Sequence, residues 1–324
     1  MPSVGDHAAT VEAAIARDEA ARHPVVASWQ RSSLLHELDP TKPHAPDRLT
    51  DQELKEAQER LGLLVNTSEV SLDHLYQAVG DVGCSVILAD KNGVAIARRG
   101  AVQDDKTFDK WGLWTGAIWS EESEGTNGVG TCIVEERPLT IHKDQHFHSK
   151  NIGMSCTAAP IFDHEGSLMA VIDVSSCRAD LTAMFARLIS VAVLDTARRI
   201  ETDHFKARFS KARIVLASSE DSSLPTQENL RGASLIAVDK DDLVIGATRG
   251  ARTLYGLSNA DLENPRPLAS LHGNDVDQAH EYATAERRIV QHAMANSGGN
   301  VSAAARAMGI SRATLHRKLK KFKS

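Results

Sequence analysis

The chain has 324 residues, of which 42% are hydrophobic and 25% are charged, and its formal net charge is −6. This composition excludes a wholly disordered chain and leaves room for two or three globular domains. No apolar run approaches the roughly 18 residues that a membrane span needs, and the N-terminus lacks the basic-then-apolar pattern of an export signal. We therefore expect a cytoplasmic protein with no membrane partner.

Residues 1–75 have the pattern of short helices separated by prolines, which predicts an N-terminal helical region. From 76 to 178 the apolar period becomes that of strands. Asn92-Gly93 lies between two apolar runs and the polar cluster 163–166 lies between two more, so each predicts a β-hairpin. An antiparallel sheet with helices packed on it satisfies this pattern, and the predicted fold class is α+β.

Four cysteines are dispersed along the chain without a C-x-x-C pair, which indicates neither a zinc knuckle nor a disulfide framework. They are Cys84, Cys132, Cys156 and Cys177. We expect reduced thiols, because a buried Cys behaves as a small apolar residue. Redox sensing through a cysteine is kept as an alternative.

Residues 179–212 carry apolar side chains at helical spacing and contain neither Gly nor Pro, which predicts one long helix. Such a helix could connect domains and pair with its copy in a dimer, although a simple core helix explains its first half equally well. The Ser-rich, acidic segment 213–228 is predicted to be a linker. Beyond it, residues 229–270 contain a third hairpin pattern and a short helix, which predicts a small α+β unit.

The last segment, residues 278–324, is predicted to be all-helical. Asn300 can cap a helix that ends near Met308, and Gly309 supplies the left-handed residue that terminates it. Ser311 then caps a second helix after a tight turn. This order of caps is typical of a helix-turn-helix.

The second helix of this pair has an apolar face and a basic face. Leu315, Leu319 and Phe322 recur at i, i+4 and i+7 and are predicted to pack on the preceding helices. From residue 301 to the end there are seven Lys or Arg and no Asp or Glu, although the whole chain is acidic. A segregated basic surface is typical of phosphate binding, and the sequence therefore predicts double-stranded DNA as a partner. A solvated amphipathic helix is the alternative.

These residues resemble the helix-turn-helix of the Fis family, found in bacterial regulators. The resemblance implies a homodimer in which residues 281–296 form the helix that pairs two subunits. It makes Asn300 and Ser302 phosphate contacts and places His316 where a longer basic residue often stands. The predicted contacts of the second helix are Ser311, Arg312, Thr314, His316, Arg317, Lys320 and Lys321.

The stretches 119–131, 137–142, 158–162 and 171–174 resemble the GAF sensor domain of acetoin-catabolism-type transcriptional regulators. Upstream, the Ser28-Trp29-Gln30-Arg31-Ser32 run resembles the N-terminal signature of those regulators. Residues 233–257 look like their PAS-like segment. The predicted architecture is thus a GAF-like antiparallel sheet with helices, a small PAS-like unit and an all-α helix-turn-helix.

The sequence departs from this family in one respect, which concerns the ATPase domain. Members of the family usually carry an AAA+ ATPase with the phosphate loop G-x-x-x-x-G-K-[ST], and that motif is absent here. No ATP is therefore expected as a cofactor. The chain should repress, activate by contact with RNA polymerase, or act with another regulator.

A sensory pocket is expected in the GAF-like domain, since such sites are mostly apolar with a few convergent polar groups. The candidate effector-binding residues are Trp119, Asn127, Thr131, His142, Cys156 and Asp173. A helix-entry turn capped by Asn127 or Thr126 explains part of this pattern equally well. The identity of the small-molecule effector does not follow from the sequence.

His142, His146 and His148 form an H-x3-H-x-H cluster that could ligate a metal ion, which keeps a metal-sensing regulator as an alternative. A small-molecule enzyme with an accessory basic tail is a second alternative. The sequence has no G-x-S-x-G elbow, H-E-x-x-H helix or phosphate loop, so no catalytic residue is predicted and the chain is not expected to be an enzyme. We predict a DNA-binding transcriptional regulator whose GAF-like domain senses a small molecule and alters the geometry of a dimeric helix-turn-helix.

Overall fold

A computed structural model describes residues 4–17, 19–42, 46–80, 83–178, 180–217, 234–272 and 278–322. The chain divides into two compact units, Met1–Pro265 and Arg266–Ser324, which we call the N-terminal and C-terminal units.

The N-terminal unit begins with four helices. They are α1 (Val4–Ala16), α2 (Pro24–Gln30), α3 (Asp51–Arg60) and α4 (Gly62–Val79). Proline at the first position of α2 costs no hydrogen bond, because that N–H has no partner within a helix. The start of α3 is fixed by a capping box, in which Thr50 and Glu53 each accept from the other's backbone N–H.

The centre of this unit is a five-stranded sheet in which every neighbouring pair is antiparallel. Its strands are β1 (Cys84–Asp90), β2 (Ala95–Arg99), β3 (Leu139–His142), β4 (Ser155–Phe162) and β5 (Leu168–Ser176), in the order β2-β1-β5-β4-β3. The predicted hairpins are β1–β2 and β4–β5. In the first, Asp90 Oδ1 accepts from the backbone N–H groups of Asn92 and Val94, which closes the turn at Gly93.

Helices cover both faces of the sheet. The long helix α8 (Ala183–Arg208) packs with α4 on one face. The short helices α5 (Asp105–Lys110), α6 (Glu121–Glu124) and α7 (Gly128–Glu135) lie in the segment between β2 and β3. Alternation along β1 sends Val86 and Leu88 into the core with α4 and α8, and Ile87 and Ala89 into a second core with Trp119. The second core borders the predicted effector-binding residues.

A three-stranded antiparallel sheet follows α8, and it corrects one prediction. Its strands are β6 (Arg213–Leu216), β7 (Leu235–Val238) and β8 (Val244–Ala247), in the order β6-β7-β8. The predicted linker therefore starts too early, because Ile214 and Val215 pair with β7 and cover one of its edges. The rest of that linker from 218, and the predicted PAS-like segment up to 233, lie outside the described residues.

Two short helices follow the three-stranded sheet within the N-terminal unit. They are α9 (Arg249–Tyr255) and α10 (Asn259–Glu263). Phe205 and Phe209, at the end of α8, pack beneath β7. Arg252 donates from Nε to the carbonyl of His164 at 3.0 Å, in the turn between β4 and β5. The small sheet is therefore joined to the main domain by both packing and hydrogen bonds, and its PAS-like character stays a prediction.

The C-terminal unit contains α11 (Gln278–Asn296), α12 (Val301–Ala307) and α13 (Arg312–Lys321). Gly309 ends the turn after α12 with φ of 67°, a conformation that costs a side-chain-bearing residue about 1–2 kcal/mol. The fully buried apolar side chains described here come from all three helices. They are Val290, Ala304, Ala305 and Leu315. Across the described part of both units, no helix combines the length and apolarity that crossing a membrane requires.

Candidate functional site

The two helices of the predicted helix-turn-helix are held by side-chain caps. Asn300 Oδ1 accepts from the N–H groups of Ser302 and Ala303 at 3.0 and 3.1 Å. Ser311 Oγ accepts from the N–H of Thr314 at 3.1 Å. Both caps satisfy donors that helix geometry leaves without an intrahelical partner, so the start of each helix is fixed.

The apolar face of α13 turns inward as predicted. Leu315 is fully buried, while Leu319 and Phe322 are partly buried against the same core. Lys318 pairs with Glu286 of α11, a contact that the sequence analysis missed because the two residues lie 32 positions apart. The ion pair and the core together fix the rotation of α13 about its axis.

The opposite face of α13 is exposed and basic. Arg312, His316, Arg317, Lys320 and Lys321 are all exposed, and Thr314 is half-buried at the first turn. Of the two predicted phosphate contacts before α13, Asn300 is exposed and Ser302 is half-buried. The predicted contacts thus lie on α13 with its N-cap Ser311, and at the start of α12.

Three of the six predicted effector-binding residues serve the local architecture. Trp119 is 2% exposed and donates from Nε1 to the Gly112 carbonyl at 2.9 Å. Asn127 caps α7, because its Oδ1 accepts from the Gly130 N–H at 2.8 Å. The Thr131 hydroxyl accepts from the Asn127 N–H at 3.2 Å. For Asn127 the helix-entry alternative is therefore the one the structure shows.

The N-terminal signature anchors this same region. Ser28 of α2 donates to Glu121 at 2.7 Å and lies 2.7 Å from the Thr126 hydroxyl. Arg31 pairs with Glu121 at 2.6 Å and with Glu135 at 3.0 Å. Through Ser28 and Arg31, α2 and the residue after it bind α6, the turn after α6 and the end of α7. The sequence pattern of residues 28–32 did not reveal this structural role.

Cys156 and Asp173 belong to a row of buried polar side chains on β4, β5 and the preceding loop. Cys156 Sγ lies 3.3 Å from His146 Nε2 and 3.1 Å from Ser175 Oγ. Ser175 donates to Asp173 Oδ2 at 2.5 Å. His146 Nδ1 faces the Lys143 carbonyl at 2.9 Å, so Nδ1 carries the proton and Nε2 accepts from the Cys156 thiol.

Burial disfavours the charged forms of these side chains. It lowers the pKa of His146 to about 4 and raises the pKa of Cys156 well above its ordinary value. It also raises the pKa of Asp173 to about 7, against the opposing effect of the Ser175 hydrogen bond. A large fraction of Asp173 is thus a neutral carboxylic acid near neutral pH.

Asp173 has one oxygen without a hydrogen-bond partner among the described residues, Oδ1. Gly128, in the first turn of α7, lies directly over it, and a Cβ built there would be 2.5 Å from that oxygen and 2.6 Å from Cys156 Cβ.

Ser175 was not among the predicted site residues, although its two-residue spacing from Asp173 places both on one face of β5.

The three histidines of the predicted metal cluster do not form a metal site. Over the part of the chain that the structure describes, no group of three or more His, Cys, Asp or Glu side chains is placed to hold an ion. His142 Nδ1 lies 2.7 Å from the Ser155 hydroxyl, and both nitrogens of His146 are engaged as described above. The ring of His148 packs edge-on against Phe147. The short spacing predicted a common ligand point, whereas these rings have separate partners.

The cysteines lack the environment of reactive thiols. Burial raises the pKa of Cys84 to about 11 and that of Cys177 to about 12. The pKa of Cys132 is raised for the same reason. Because the thiolate is the reactive species, this arrangement gives no support to the redox alternative.

Two protein families match the chain. The GAF domain family matches residues 64–199, and the family described as "Bacterial regulatory protein, Fis family" matches residues 282–322. The predicted GAF and helix-turn-helix assignments are therefore confirmed, together with the α+β fold class.

Curated relatives match parts of the chain. Over 227 residues the chain is 30% identical to the acetoin catabolism regulatory protein of Cupriavidus necator, a match that covers 70% of this chain and 33% of that protein. Over 154 residues it is 30% identical to the acetoin dehydrogenase operon transcriptional activator AcoR of Bacillus subtilis, covering 48% of this chain and 25% of that one. The chain thus spans a third or less of these relatives.

A solved structure supports the fold. The E. coli DhaR(N)-DhaL complex contains a chain that matches with a TM-score of 0.51 and 16% sequence identity, covering 76% of this chain and 81% of that chain. By the two family matches, the protein combines a GAF domain with a Fis-family helix-turn-helix. It is homologous to transcriptional regulators of the acetoin-catabolism type.

Proposed function

We propose that the protein is a transcriptional regulator that binds double-stranded DNA through α13. The observation that carries the proposal is the exposed basic face of this capped helix, opposite a buried Leu315. An α-helix of this kind fits the major groove, where Arg side chains read guanine edges and Lys side chains contact phosphates. One relative named above is a catabolism regulatory protein and the other is an operon transcriptional activator, which supports the same output.

The proposed active species is a homodimer. Met184, Leu188 and Val191 of α8 are 76%, 64% and 69% exposed, at the i, i+4 and i+7 positions of one stripe. On α11, Ile289 is 59% exposed. Covering these apolar side chains with a second copy would remove them from water. A dimeric helix-turn-helix protein binds DNA half-sites about 34 Å apart.

The proposed signal is a small uncharged molecule with a hydroxyl or carbonyl group, bound within the GAF domain. The support is Asp173, whose neutral form can donate a hydrogen bond from a buried position and whose Oδ1 has no partner among the described residues. A short alcohol or ketone has the matching acceptor. The names of the acetoin regulators suggest this class of compound.

We propose that the signal acts on DNA binding without nucleotide hydrolysis. The sequence contains no phosphate loop of the kind that AAA+ motors use. Repression, activation by contact with RNA polymerase, and cooperation with another regulator all suit such a device. No catalytic role is proposed for any residue.

The DNA-binding proposal is tested by fluorescence anisotropy with duplexes selected from a random pool, titrated over a range of salt. We expect binding to weaken steeply with salt, since each neutralised phosphate releases counterions. Arg312→Ala should reduce discrimination between the selected and scrambled duplexes by about 1–3 kcal/mol. Lys321→Ala should weaken both alike and lower the salt slope by about 1.

Lys55→Ala is the matched control, because Lys55 is an exposed lysine on α3, in the N-terminal unit. It should leave every one of these quantities unchanged. Absence of binding, or binding that does not depend on salt, would refute the proposed output.

A further inference from the structure

A cleft separates the GAF domain from the small sheet that follows it, and it lies within the N-terminal unit. Its volume is about 330 Å³, in the lower range of pockets that hold small molecules. One wall comes from β4 and α8, and the other from α9. The lining side chains used below are Pro138, Pro160, Phe162, Leu194, Arg198 and Arg249.

Arg198 has two buried donor atoms that a ligand could satisfy. It lines the cleft, and its Nε and Nη2 atoms are buried with no hydrogen-bond partner among the described residues. Arg198 as a whole is half-buried, but buried polar atoms in proteins are nearly always hydrogen-bonded, and leaving two buried donor atoms without an acceptor is costly. The site is therefore incomplete as it stands.

The two atoms without partners lie on one edge of the guanidinium, the edge that carboxylates use. Elsewhere in this chain, Arg178 binds Asp180 through the same pair, with Nε at 2.9 Å and Nη2 at 2.7 Å. Arg31 uses the same two atoms on Glu121, at 2.6 and 3.2 Å. A planar carboxylate is therefore the acceptor that matches this edge of Arg198.

Neither acidic side chain in the cleft acts as the carboxylate partner of Arg198. Glu136 pairs with Arg249 at 3.5 Å across the cleft. Glu201 accepts at Oε1 from the Phe162 N–H at 2.8 Å. Burial raises the pKa of Glu201 to about 7, although Arg249 and Arg198 oppose the shift, so this group does not fully neutralise Arg198 at neutral pH.

The rest of the cleft is apolar and partly aromatic. Pro138, Pro160 and Leu194 supply aliphatic surface. Phe162 supplies a ring, and the Arg249 guanidinium lies 3.7 Å from its centroid. A ligand with an apolar body could pack here while its carboxylate meets Arg198.

We propose that this cleft binds a small monocarboxylate with an apolar body, in a site separate from the GAF interior. Arg198 forms a bidentate pair with the ligand carboxylate, and the proline and phenylalanine walls hold the body. Because α8 belongs to the GAF domain and α9 to the small sheet, an occupied cleft would tie the two together. The site gives the protein a second input, which does not depend on DNA binding.

The test is isothermal titration calorimetry of the full chain with benzoate, phenylacetate and cyclohexanecarboxylate, each beside its amide as the uncharged counterpart. We expect saturable binding of at least one carboxylate and none of the amides. Arg198→Gln should weaken that binding roughly 10- to 100-fold, because it removes a charge-assisted bidentate pair. Circular dichroism establishes that the variant is folded.

Arg199→Gln is the matched control, because Arg199 is the next residue on α8, is exposed, and pairs with Asp195 instead. It should bind as the parent does. Thr253→Trp gives an independent arm: Thr253 is an exposed residue of the α9 wall, so the larger side chain should fill the cleft and abolish binding, whereas Thr253→Ser should not. No saturable binding by any of the three carboxylates, equal binding of the amides, or equal loss in the two arginine variants would overturn the proposal.

Discussion

The N-terminal unit fully buries polar side chains in and beside its main sheet, whereas the fully buried side chains described in the C-terminal unit are apolar. Asp173 and His146 are each at most 1% exposed and are surrounded by extensive apolar cores. In the C-terminal unit, the four fully buried side chains among those described are all apolar. A large core can tolerate the cost of buried polar groups, while a small one has little stability to lose.

This difference bears on where each unit can be regulated. A polar group held in a dry interior responds to a small ligand or to a proton, because few other partners reach it. An exposed basic face responds to a polyanion and to salt. A substitution in one unit should therefore differ in its effect from the corresponding substitution in the other.

The largest effect is expected for Leu315→Ala. Removing a fully buried leucine side chain costs about 2–5 kcal/mol, and a unit of this size rarely has more than about 3–5 kcal/mol in its core. The C-terminal unit should therefore unfold, and DNA binding should be lost. Differential scanning calorimetry should show the transition of the N-terminal unit unchanged.

Leu72→Ala is the corresponding change in the N-terminal unit, where Leu72 is 1% exposed within a core of more than twenty buried residues. It should lower the melting temperature of that unit without unfolding it at room temperature. If Leu315→Ala kept its DNA affinity, or if both variants behaved alike, the contrast in core size would not govern stability.

A second effect is expected for Asp173→Asn and should depend on pH. The carboxyl group has a pKa of about 7 in the folded protein, against 3.8 as its ordinary value. Between these values the folded state binds more protons than the unfolded state, so folding stability falls as pH rises through this window. Asparagine mimics the neutral acid, and the variant should be more stable than the parent above pH ~7, by on the order of 2–4 kcal/mol.

Urea unfolding of the N-terminal unit at a series of pH values measures this difference. Well below the ordinary pKa of 3.8 parent and variant should have equal stability, because the carboxyl is then protonated in both the folded and the unfolded state. Glu201 also has a raised pKa, but it is present in both proteins and cancels in the difference. Asp144→Asn, at an exposed aspartate, is the control and should shift stability little at any pH. A stability difference that did not grow with pH would contradict the assigned pKa.

The features that sequence predicts best here are those written in neighbouring residues. The caps at Asn300 and Ser311 and the left-handed Gly309 depend on chemistry within four positions, and the structure has all three. The turn at Asn92-Gly93 is of the same kind. Such local signals survive because tertiary packing did not oppose them.

The features that sequence could not give depend on distant pairs. The row from His146 through Cys156 to Asp173 joins a loop and two strands, and nothing in the spacing of these residues announces it. The short spacing of the histidines suggested a metal site, but each ring found its own partner after folding. Strand β6 was missed for a similar reason. Its four residues, Arg213–Leu216, look like part of a linker in the sequence, and only their pairing with β7 shows that they form a strand.

The smallest effects should come from removing one helix cap in each unit. Asn127 and Ser311 perform the same task, but Asn127 is 1% exposed and Ser311 is exposed. Asn127→Ala leaves the Gly130 N–H and the Gly125 carbonyl without their side-chain partner in a dry interior, and should destabilise the N-terminal unit by about 2 kcal/mol. In Ser311→Ala, water replaces the lost acceptor, and the C-terminal unit should lose about 1 kcal/mol or less.

Chemical denaturation of each unit measures the two losses in stability, with Ser311→Asp as a cap-preserving control that should restore parent stability. A larger loss at Ser311 than at Asn127 would mean that burial does not set the strength of these caps.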